Sequence, residues 1–315
     1  MNLAITAAFL VTTLLVVPVI AYVFGIPPGP LEISALRTLT WILLGAWAMC
    51  FVLGEWTGNV SQVDKLWSLM PIAYVWVVAG RGDHEPRLLL MALLVTIWGL
   101  RLTYNFHRRG GYSLRFWTGE EDYRWGVLRA RPEFRPRWRW TLFNLVFISG
   151  YQNALLLLIT LPAVVALQFS GTPLGPVDLT AASLMLFFIA FEAVADNQQW
   201  RFQFRKRALE AAGRPLTGPN ARGFIDTGLW ALCRHPNYFA EKGAWVAFYL
   251  FSVAASGHWV NWSVGGCILL ILLFRGSAAF TEEISAAKYP GYREYRDKVP
   301  QFLPFTAPWR GNRGS

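Results

Sequence analysis

The stretch GLWALCRHPNYFAE, residues 228–241, decides the fold. An apolar run leads into Arg234, His235 and Pro236, and a new hydrophobic segment carries Glu241 onward. The residue before a proline is biased away from helix, whereas proline is favoured in a helix's first turn. The pattern therefore predicts a bend at His235 and a helix that begins at Pro236. Ionisable groups beside long hydrophobic runs are costly in a membrane, so their clustering here indicates a functional site.

The composition is typical of a multi-span membrane protein. Of the 315 residues, 54% are hydrophobic, and the mean hydropathy is +0.34, both unusual for a soluble domain. The net charge of +10 comes from loops beside hydrophobic runs, as expected near anionic lipid, and gives no reason to expect a nucleic-acid partner. Cys50, Cys233 and Cys267 have neither metal-ligand spacing nor the pattern of a disulfide framework.

Hydrophobic windows predict an all-α, polytopic integral membrane protein with seven or eight transmembrane helices. A bilayer of roughly 30 Å requires about 20 residues per helix, so the shortest window, 66–80, leaves the number open. That span would draw Asp64 into the membrane if it began at Val60. Residues 1–24 lack a charged leading segment and a small-residue cleavage pattern, which favours a retained first span over a signal peptide. The windows are 3–24, 38–54, 66–80, 87–105, 141–168, 178–195, 239–256 and 259–275.

Arginine and lysine define the predicted orientation. They concentrate in segments 106–140 and 197–237 and in the tail from Arg275, and two predicted spans separate each neighbouring pair. All three therefore lie on one side, which the positive-inside rule identifies as the cytosol. We expect a single domain over 1–305 in a bacterial inner membrane, with basic loops and C-terminus cytoplasmic, and a disordered tail over 306–315.

Four groups of polar residues share helix faces at the predicted cytosolic ends of spans. Side chains three, four or seven residues apart lie on one face. Arginine grips phosphate through two hydrogen bonds, whereas carboxylates and amides accept from sugar and base, so the mixture predicts a nucleotide-like ligand in a cytosol-facing cavity. The alternative is structural, with charges that snorkel, cap helices or pair within the protein. The groups are Arg101, Tyr104, Asn105 and Arg108; Glu192, Asp196, Gln199 and Gln203; Asn237 and Glu241; and Arg275 and Glu282.

Asp64, in SQVDKLWSLMP (61–71), is a candidate acid. A carboxyl group moved into low dielectric has a raised pKa and can hold a proton near neutral pH, as a general acid requires. The equally open alternative is that Asp64 caps the following helix. No pair of histidines has metal-ligand spacing, and no glycine-rich nucleotide loop or serine nucleophile elbow occurs, so we expect neither a metal nor a soluble dinucleotide domain.

Six segments in one order resemble the steroid 5-alpha-reductase superfamily, more closely its uncharacterised bacterial branch, over roughly residues 60–305. They are VDKLWS with its following proline (63–71), WGLRLTYNFHRRGGY (98–112), EEDYRW (120–125), ADNQQWRFQF (195–204), GLWALCRHPNYFAE (228–241) and KYPGYREYRDKVPQFLPF (288–305). The resemblance implies a helical membrane fold that holds NADPH in a cavity open to the cytosol. It also implies hydride transfer to the β carbon of an enone, assisted by an acid at the carbonyl oxygen.

The resemblance also implies site residues. Asp64 matches the position of the family's catalytic glutamate, seven residues before Pro71, although Val63 replaces the expected preceding glutamine. Tyr104 is the candidate partner of this acid, but it lies near the cytosolic end, whereas the family's tyrosine lies midway along the span. With the polar groups above, the predicted cofactor contacts are Arg101, Asn105, Arg108, Asp196, Arg234, His235, Asn237, Tyr238, Glu241, Arg275 and Glu282.

The sequence thus predicts an NADPH-dependent membrane reductase of the conjugated C=C of a lipid-soluble, steroid- or isoprenoid-like enone. Its partners would be this substrate and membrane lipid, and the protein would be a monomer or a weak homo-oligomer. The alternative is an S-adenosylmethionine-dependent methyltransferase of the isoprenylcysteine carboxyl methyltransferase type, whose members share an Arg-His-Pro-x-Tyr turn and a downstream glutamate. A transporter is disfavoured because no repeated halves occur in the sequence.

Overall fold

The structure is a computed structural model that describes Val19 and residues 25–304. Apart from Val19, the predicted span 3–24 lies outside these residues, as does the predicted tail 306–315. All regular secondary structure in the described part is helical, so the predicted all-α class is confirmed there. The helices are α1 (Pro30–Thr57), α2 (Gln62–Leu66), α3 (Met70–Arg81), α4 (Pro86–His107), α5 (Tyr123–Arg129), α6 (Arg137–Phe143), α7 (Gln152–Leu158), α8 (Leu161–Gln168), α9 (Pro176–Ala211), α10 (Pro236–Ser256), α11 (Val264–Lys288) and α12 (Tyr292–Lys298).

Five helical segments in the described part are long and apolar enough to cross a membrane. They are α1, α4, the segment Arg137–Gln168, α9 and α11. Within Arg137–Gln168, residues Asn144–Tyr151 form a π-helical run between α6 and α7. Short 3₁₀ helices cover Pro132–Phe134, Gly218–Arg222 and Gly228–Ala231. The five segments coincide with or overlap five of the predicted windows.

Two further windows differ from the expectation. The window 66–80 contains only α3, whose 12 residues span about 18 Å at 1.5 Å per residue and fall short of a bilayer. Helix α10 has 21 residues but is not among the five candidates, and it carries Glu241 and Lys242 near its start. The total of seven or eight spans therefore stays a prediction.

Proline and glycine place several helix ends. Helix α10 begins at Pro236, directly after the predicted bend, so this prediction from the sequence is confirmed. Helices α1 and α4 also carry proline in the first turn, where its missing N–H has no partner to lose. Helix α1 ends at Thr57 and is capped by Gly58, whose φ of 71° is left-handed and favours glycine.

The chain packs as two compact units. Unit one comprises Met1–Met185 and Trp245–Leu270, and unit two comprises Leu186–Ala244 and Ile271–Ser315. In unit one, the buried rings of Trp98 and Trp245 meet edge to face with centroids 4.9 Å apart. In unit two, an aromatic cluster forms around Tyr295, with Phe224, Tyr292 and Val299 buried against it.

Candidate functional site

Asp64 lies inside the short helix α2, in unit one. Ser61 is at the N-cap of α2 and Leu69 at that of α3, so Asp64 caps neither helix. Its Oδ2 accepts a hydrogen bond from Trp125 Nε1 at 3.3 Å, and the Ser61 hydroxyl also donates to its carboxyl group. Burial, followed by the nearby negative charge of Asp122, raises the pKa of Asp64. The residue is half-buried and not fully enclosed.

A buried lysine of α2, Lys65, holds the loop between α4 and α5 in place by hydrogen bonds. Lys65 Nζ donates to the carbonyl oxygens of Phe116 at 2.7 Å and Thr118 at 2.8 Å, and to Gln62 Oε1 at 3.1 Å. Tyr112 donates its hydroxyl hydrogen to the Lys65 carbonyl at 2.6 Å. These bonds fix the loop that leads to Asp122 and Trp125, and so set the surroundings of Asp64.

Glycine is required at one point of this loop. Gly119 has a φ of 118°, and a Cβ there would lie 2.5 Å from the Gly111 carbonyl oxygen. Its own carbonyl accepts from Asn59 Nδ2 at 3.0 Å, immediately before α2. A side chain at 119 would therefore force the loop away from α2.

Asp122 lies at the end of the loop, in the grip of Arg124. Arg124 Nε donates to Asp122 Oδ1 at 2.9 Å and Nη2 donates to Oδ2 at 2.7 Å, in a bidentate pair. Asp122 also caps α5, since its Oδ1 accepts from the Arg124 backbone N–H at 2.9 Å. Burial alone would raise the pKa of Asp122, but the charge and hydrogen bonds of Arg124 outweigh it and lower this pKa.

Some residues of the predicted polar face of α4, also in unit one, contact one another. Asn105 is buried, and its Oδ1 accepts from Arg108 Nε at 2.9 Å and Nη2 at 2.7 Å. The Arg108 guanidinium lies 5.4 Å from the centroid of the Tyr104 ring, which is 64% exposed. Arg101, one turn earlier, is half-buried. The catalytic role of Tyr104 and the cofactor roles of the other three stay predictions.

In unit two, the structure brings Asp196 and Asn237 together. Asn237 Nδ2 donates to Asp196 Oδ1 at 3.4 Å. Because the amide nitrogen faces the carboxylate, Asn237 Oδ1 is directed elsewhere, and this buried oxygen accepts no hydrogen bond within the described chain. Glu241, one turn further along α10, is buried, whereas Arg275 on α11 is exposed. Asn237 thus presents an acceptor that a bound donor would satisfy.

Four other predicted residues of unit two contact one another: Arg234, His235, Tyr238 and Glu282. Arg234 donates to Glu282 through Nε at 2.8 Å and Nη2 at 3.1 Å, and His235 Nε2 lies 2.9 Å from Glu282 Oε1. Gln301 Nε2 donates to the same Oε1 at 3.2 Å. Tyr238 stacks on the His235 ring, with centroids 5.2 Å apart. Burial lowers the pKa of His235, and the hydrogen bond to Glu282 opposes this shift.

Arg234 and His235 also bind the C-terminal segment. Their backbone N–H groups donate to the carbonyls of Pro300 at 2.9 Å and Gln301 at 3.1 Å. Arg234 Nη1 donates to the carbonyl oxygens of Arg296, at 2.6 Å, and Val299. In this structure the Arg-His-Pro bend therefore anchors the chain's own C-terminal segment, and its cofactor contacts stay a prediction.

Four residues around Asp64 were not among the predicted site residues: Ser61, Asp122, Arg124 and Trp125. EEDYRW (120–125) contributed to the resemblance, but no helical period relates it to Asp64. The available signal was local, since Asp122 and Arg124 are an opposite-charge pair two residues apart in the sequence. This signal indicates the Asp122–Arg124 pair but does not show that the pair lies near Asp64.

The comparisons with known proteins match a part of the chain that contains the candidate residues of unit one and of unit two. A family model described as "Protein of unknown function (DUF1295)" matches residues 50–299. A relative from Schizosaccharomyces pombe, named "Uncharacterized protein C594.04c", is 37% identical over 277 residues, which cover 81% of this chain and 78% of the relative. No solved structure matches the chain. The matched range contains Asp64, Asp122, Asn237 and Glu282, and on this match the chain belongs to the DUF1295 family.

Proposed function

We propose that this protein is a membrane reductase that uses NADPH to reduce the conjugated C=C of a lipid-soluble enone. The observation that carries the proposal is the environment of Asp64, a half-buried carboxyl group whose pKa is raised by burial and by Asp122. Enone reduction needs an acid at the carbonyl oxygen, and such a carboxyl group supplies one near neutral pH. The resemblance of the sequence to the steroid 5-alpha-reductase superfamily supports the same chemistry.

The residues of unit two fit the nicotinamide cofactor. The buried Asn237 Oδ1 is an acceptor without a partner in the described chain, and the carboxamide NH₂ of nicotinamide is a donor that suits it. Exposed guanidinium groups for phosphate are present in the same unit at Arg201, Arg205 and Arg275. When bound, NADPH supplies the hydride that adds to the β carbon of the enone.

Asp64 would complete the reaction by moving one proton. As the β carbon gains the hydride, the π electrons of the enone move towards the carbonyl oxygen. The Asp64 carboxyl donates its proton to that oxygen and stabilises the charge that develops there. The resulting enol returns its O–H proton to Asp64 as solvent protonates the α carbon. The sum is one hydride and one proton added across the C=C, with Asp64 restored.

The five long apolar helices support a lipid-soluble substrate and a place in a membrane. A substrate dissolved in the bilayer reaches an embedded enzyme without crossing water. The three arginine- and lysine-rich segments support an orientation with the cofactor on the cytosolic side.

Thermal unfolding of the full chain in lipid nanodiscs, with each candidate cofactor, tests this function. We expect NADPH to raise Tm, and NADPH absorbance to fall when a 3-oxo-4-ene steroid or an isoprenoid enone is added. The corresponding saturated ketones serve as the control and should leave the absorbance unchanged. If S-adenosylmethionine raises Tm and NADPH does not, the methyltransferase alternative replaces the reductase. Stabilisation by neither cofactor also contradicts the proposal.

A further inference from the structure

Two carboxyl groups from distant parts of the sequence share one small region of unit one. Two hydrogen bonds from the Arg124 guanidinium group hold the Asp122 carboxylate, and the Asp122 backbone N–H donates to Ser61 Oγ at 3.0 Å. The Ser61 hydroxyl in turn hydrogen-bonds the Asp64 carboxyl group, and Trp125, three residues beyond Asp122, donates to Asp64 Oδ2. One hydroxyl and one short helix therefore fix the two carboxyl groups relative to each other.

The nearest cations make their printed hydrogen bonds to groups other than Asp64. Lys65 adjoins Asp64, but the three hydrogens of its ammonium group match its three acceptors, Gln62, Phe116 and Thr118. Arg124 binds Asp122 through two nitrogens, whereas the hydrogen bonds to Asp64 come from the neutral donors Ser61 and Trp125. The charge of Arg124 also acts on Asp64 and lowers its pKa, but burial and the charge of Asp122 outweigh it.

Further titratable groups lie in the same region. Cys50, on α1, interacts electrostatically with Asp64, and burial raises the pKa of other acids in this region, such as Tyr112. Arg109 adds positive charge near Asp122. The cations thus favour a negative Asp122, and a carboxylate there disfavours a second negative charge on Asp64.

We propose that Asp122 is a positioning residue for the proton on Asp64. Its carboxylate, held ionised by Arg124, keeps the Asp64 carboxyl group protonated at neutral pH and ready to donate. This inference rests on the proposed function, in which Asp64 is the acid. Lys65 has a supporting part, because it fastens the loop that carries Asp122 against α2.

Infrared titration of the full chain in nanodiscs, without cofactor or substrate, tests the inference. The C=O stretch of a protonated carboxyl group reports Asp64 when it is present in the native protein and absent in Asp64→Asn. We expect this band at neutral pH. In Asp122→Asn, which keeps a helix cap but removes the charge, we expect the band's titration midpoint to fall by about one pH unit or more, a tenfold weaker proton affinity. Glu120→Gln removes one exposed charge from the same motif and should not move the midpoint.

A second variant covers the case in which Asp122→Asn does not fold. Arg124→Gln leaves Asp122 without its guanidinium partner, so Asp122 should take up a proton more readily. A second carboxyl band, distinct from the Asp64 band, should then appear, and it should remain when Asp64→Asn is added. The absence of this new band contradicts the role of Arg124 in the inference.

The outcomes separate the inference from the proposed function. If Asp64 shows its band but Asp122→Asn does not shift the midpoint, the positioning role is wrong and Asp64 remains the acid. If the native protein shows no Asp64 band at neutral pH, both the acid and its positioning residue are wrong. A midpoint that falls in Asp122→Asn and not in Glu120→Gln supports the inference.

Discussion

Asp64 in unit one and Glu282 in unit two are both acidic side chains among hydrogen-bond donors, yet their environments are opposite. Glu282 accepts from the Arg234 guanidinium, from His235 and from Gln301. Asp64 accepts from a serine and a tryptophan and faces a second carboxyl group, Asp122. The first site neutralises its carboxylate with a cation, whereas the second adds negative charge beside it.

Under the proposed function, the difference separates a structural acid, Glu282, from the proposed proton donor, Asp64. A buried carboxylate that is fully hydrogen-bonded to an arginine gains little from exchanging this partner for a ligand. A carboxyl group held beside another carboxylate with neutral donors retains its proton and can give it away. The charge of the neighbouring groups therefore separates the two acids, because a cation faces Glu282 and a carboxylate faces Asp64.

The largest effect is expected for Asp64→Asn. Asparagine keeps the shape of the side chain but has no proton to donate, so turnover of the enone should fall about a thousandfold, within the usual range for a general acid. The NADPH-induced rise in Tm should be retained. Asp83→Asn, at an exposed loop position, is the matched control and should keep full activity. Native turnover in Asp64→Asn would remove the distinction drawn between the two acids.

The next effect is the loss of stability in Glu282→Gln. The change leaves the Arg234 guanidinium, 11% exposed, without its counter-charge, and breaking such a pair costs about 3–5 kcal/mol. For a chain of this size that corresponds to a Tm lowered by roughly 10 °C. Glu294→Gln breaks an exposed pair with Lys298 and should change Tm very little. If both variants have the same Tm, the Glu282 cluster does not have the structural role described here.

Lys65→Met should have a smaller effect on stability, confined to unit one. Three oxygen atoms would lose their buried donor, at a cost of about 1–3 kcal/mol. The loop around Phe116 and Thr118 should become easier to cleave, which limited proteolysis with mass spectrometry measures. Lys298→Met removes an exposed lysine of unit two and is the control. Unchanged cleavage in Lys65→Met would mean that other contacts hold the loop.

The smallest expected effect is the contribution of His235 to the pH dependence of Tm. Its pKa is lower in the folded protein than in the unfolded chain, so the unfolded chain binds more protons in this window. The contribution to stability is therefore complete above the unfolded pKa of about 6.5 and is lost as pH falls towards the folded value. Tm measured across this window should fall on acidification, and His235→Gln should reduce the slope.

His258→Gln, at an exposed position, is the control for His235 and should keep the native slope. Asp64 gives the opposite sign at acidic pH, because its pKa is raised on folding. Its contribution is complete below the unfolded pKa of about 3.9 and is lost as pH rises through the folded value. A native slope that survives in His235→Gln would place the buried titrating group elsewhere.

Much of the fold followed from local patterns. The windows over 38–54, 87–105 and 178–195 became parts of long helices because an apolar run of that length forms its backbone hydrogen bonds internally. The window 66–80 did not become a spanning helix, since α3 begins only at Met70. Hydrophobicity alone could not reveal this shorter start, which depends on the turn that follows α2.

For the predicted site residues, the sequence spacing predicted some contacts and missed others. Helical spacing correctly placed Asn105 and Arg108 together, because residues three apart on one helix are neighbours. The same reasoning grouped Arg275 with Glu282, whereas the structure pairs Glu282 with Arg234, 48 positions away in sequence. Spacing along a helix gives the face on which a charge lies but not the residue that meets it.

The sequence by itself determined a helical chain with several bilayer-length apolar segments, the bend before Pro236 and the residue types available for chemistry. These follow from backbone hydrogen bonding, proline geometry and composition, which are local properties. Only the tertiary structure decided that Arg234 and His235 bind Glu282 and the C-terminal segment, and that Asp122 lies near Asp64. Such partners are chosen by the packing of distant segments, and the proton affinity of a buried acid depends on those partners.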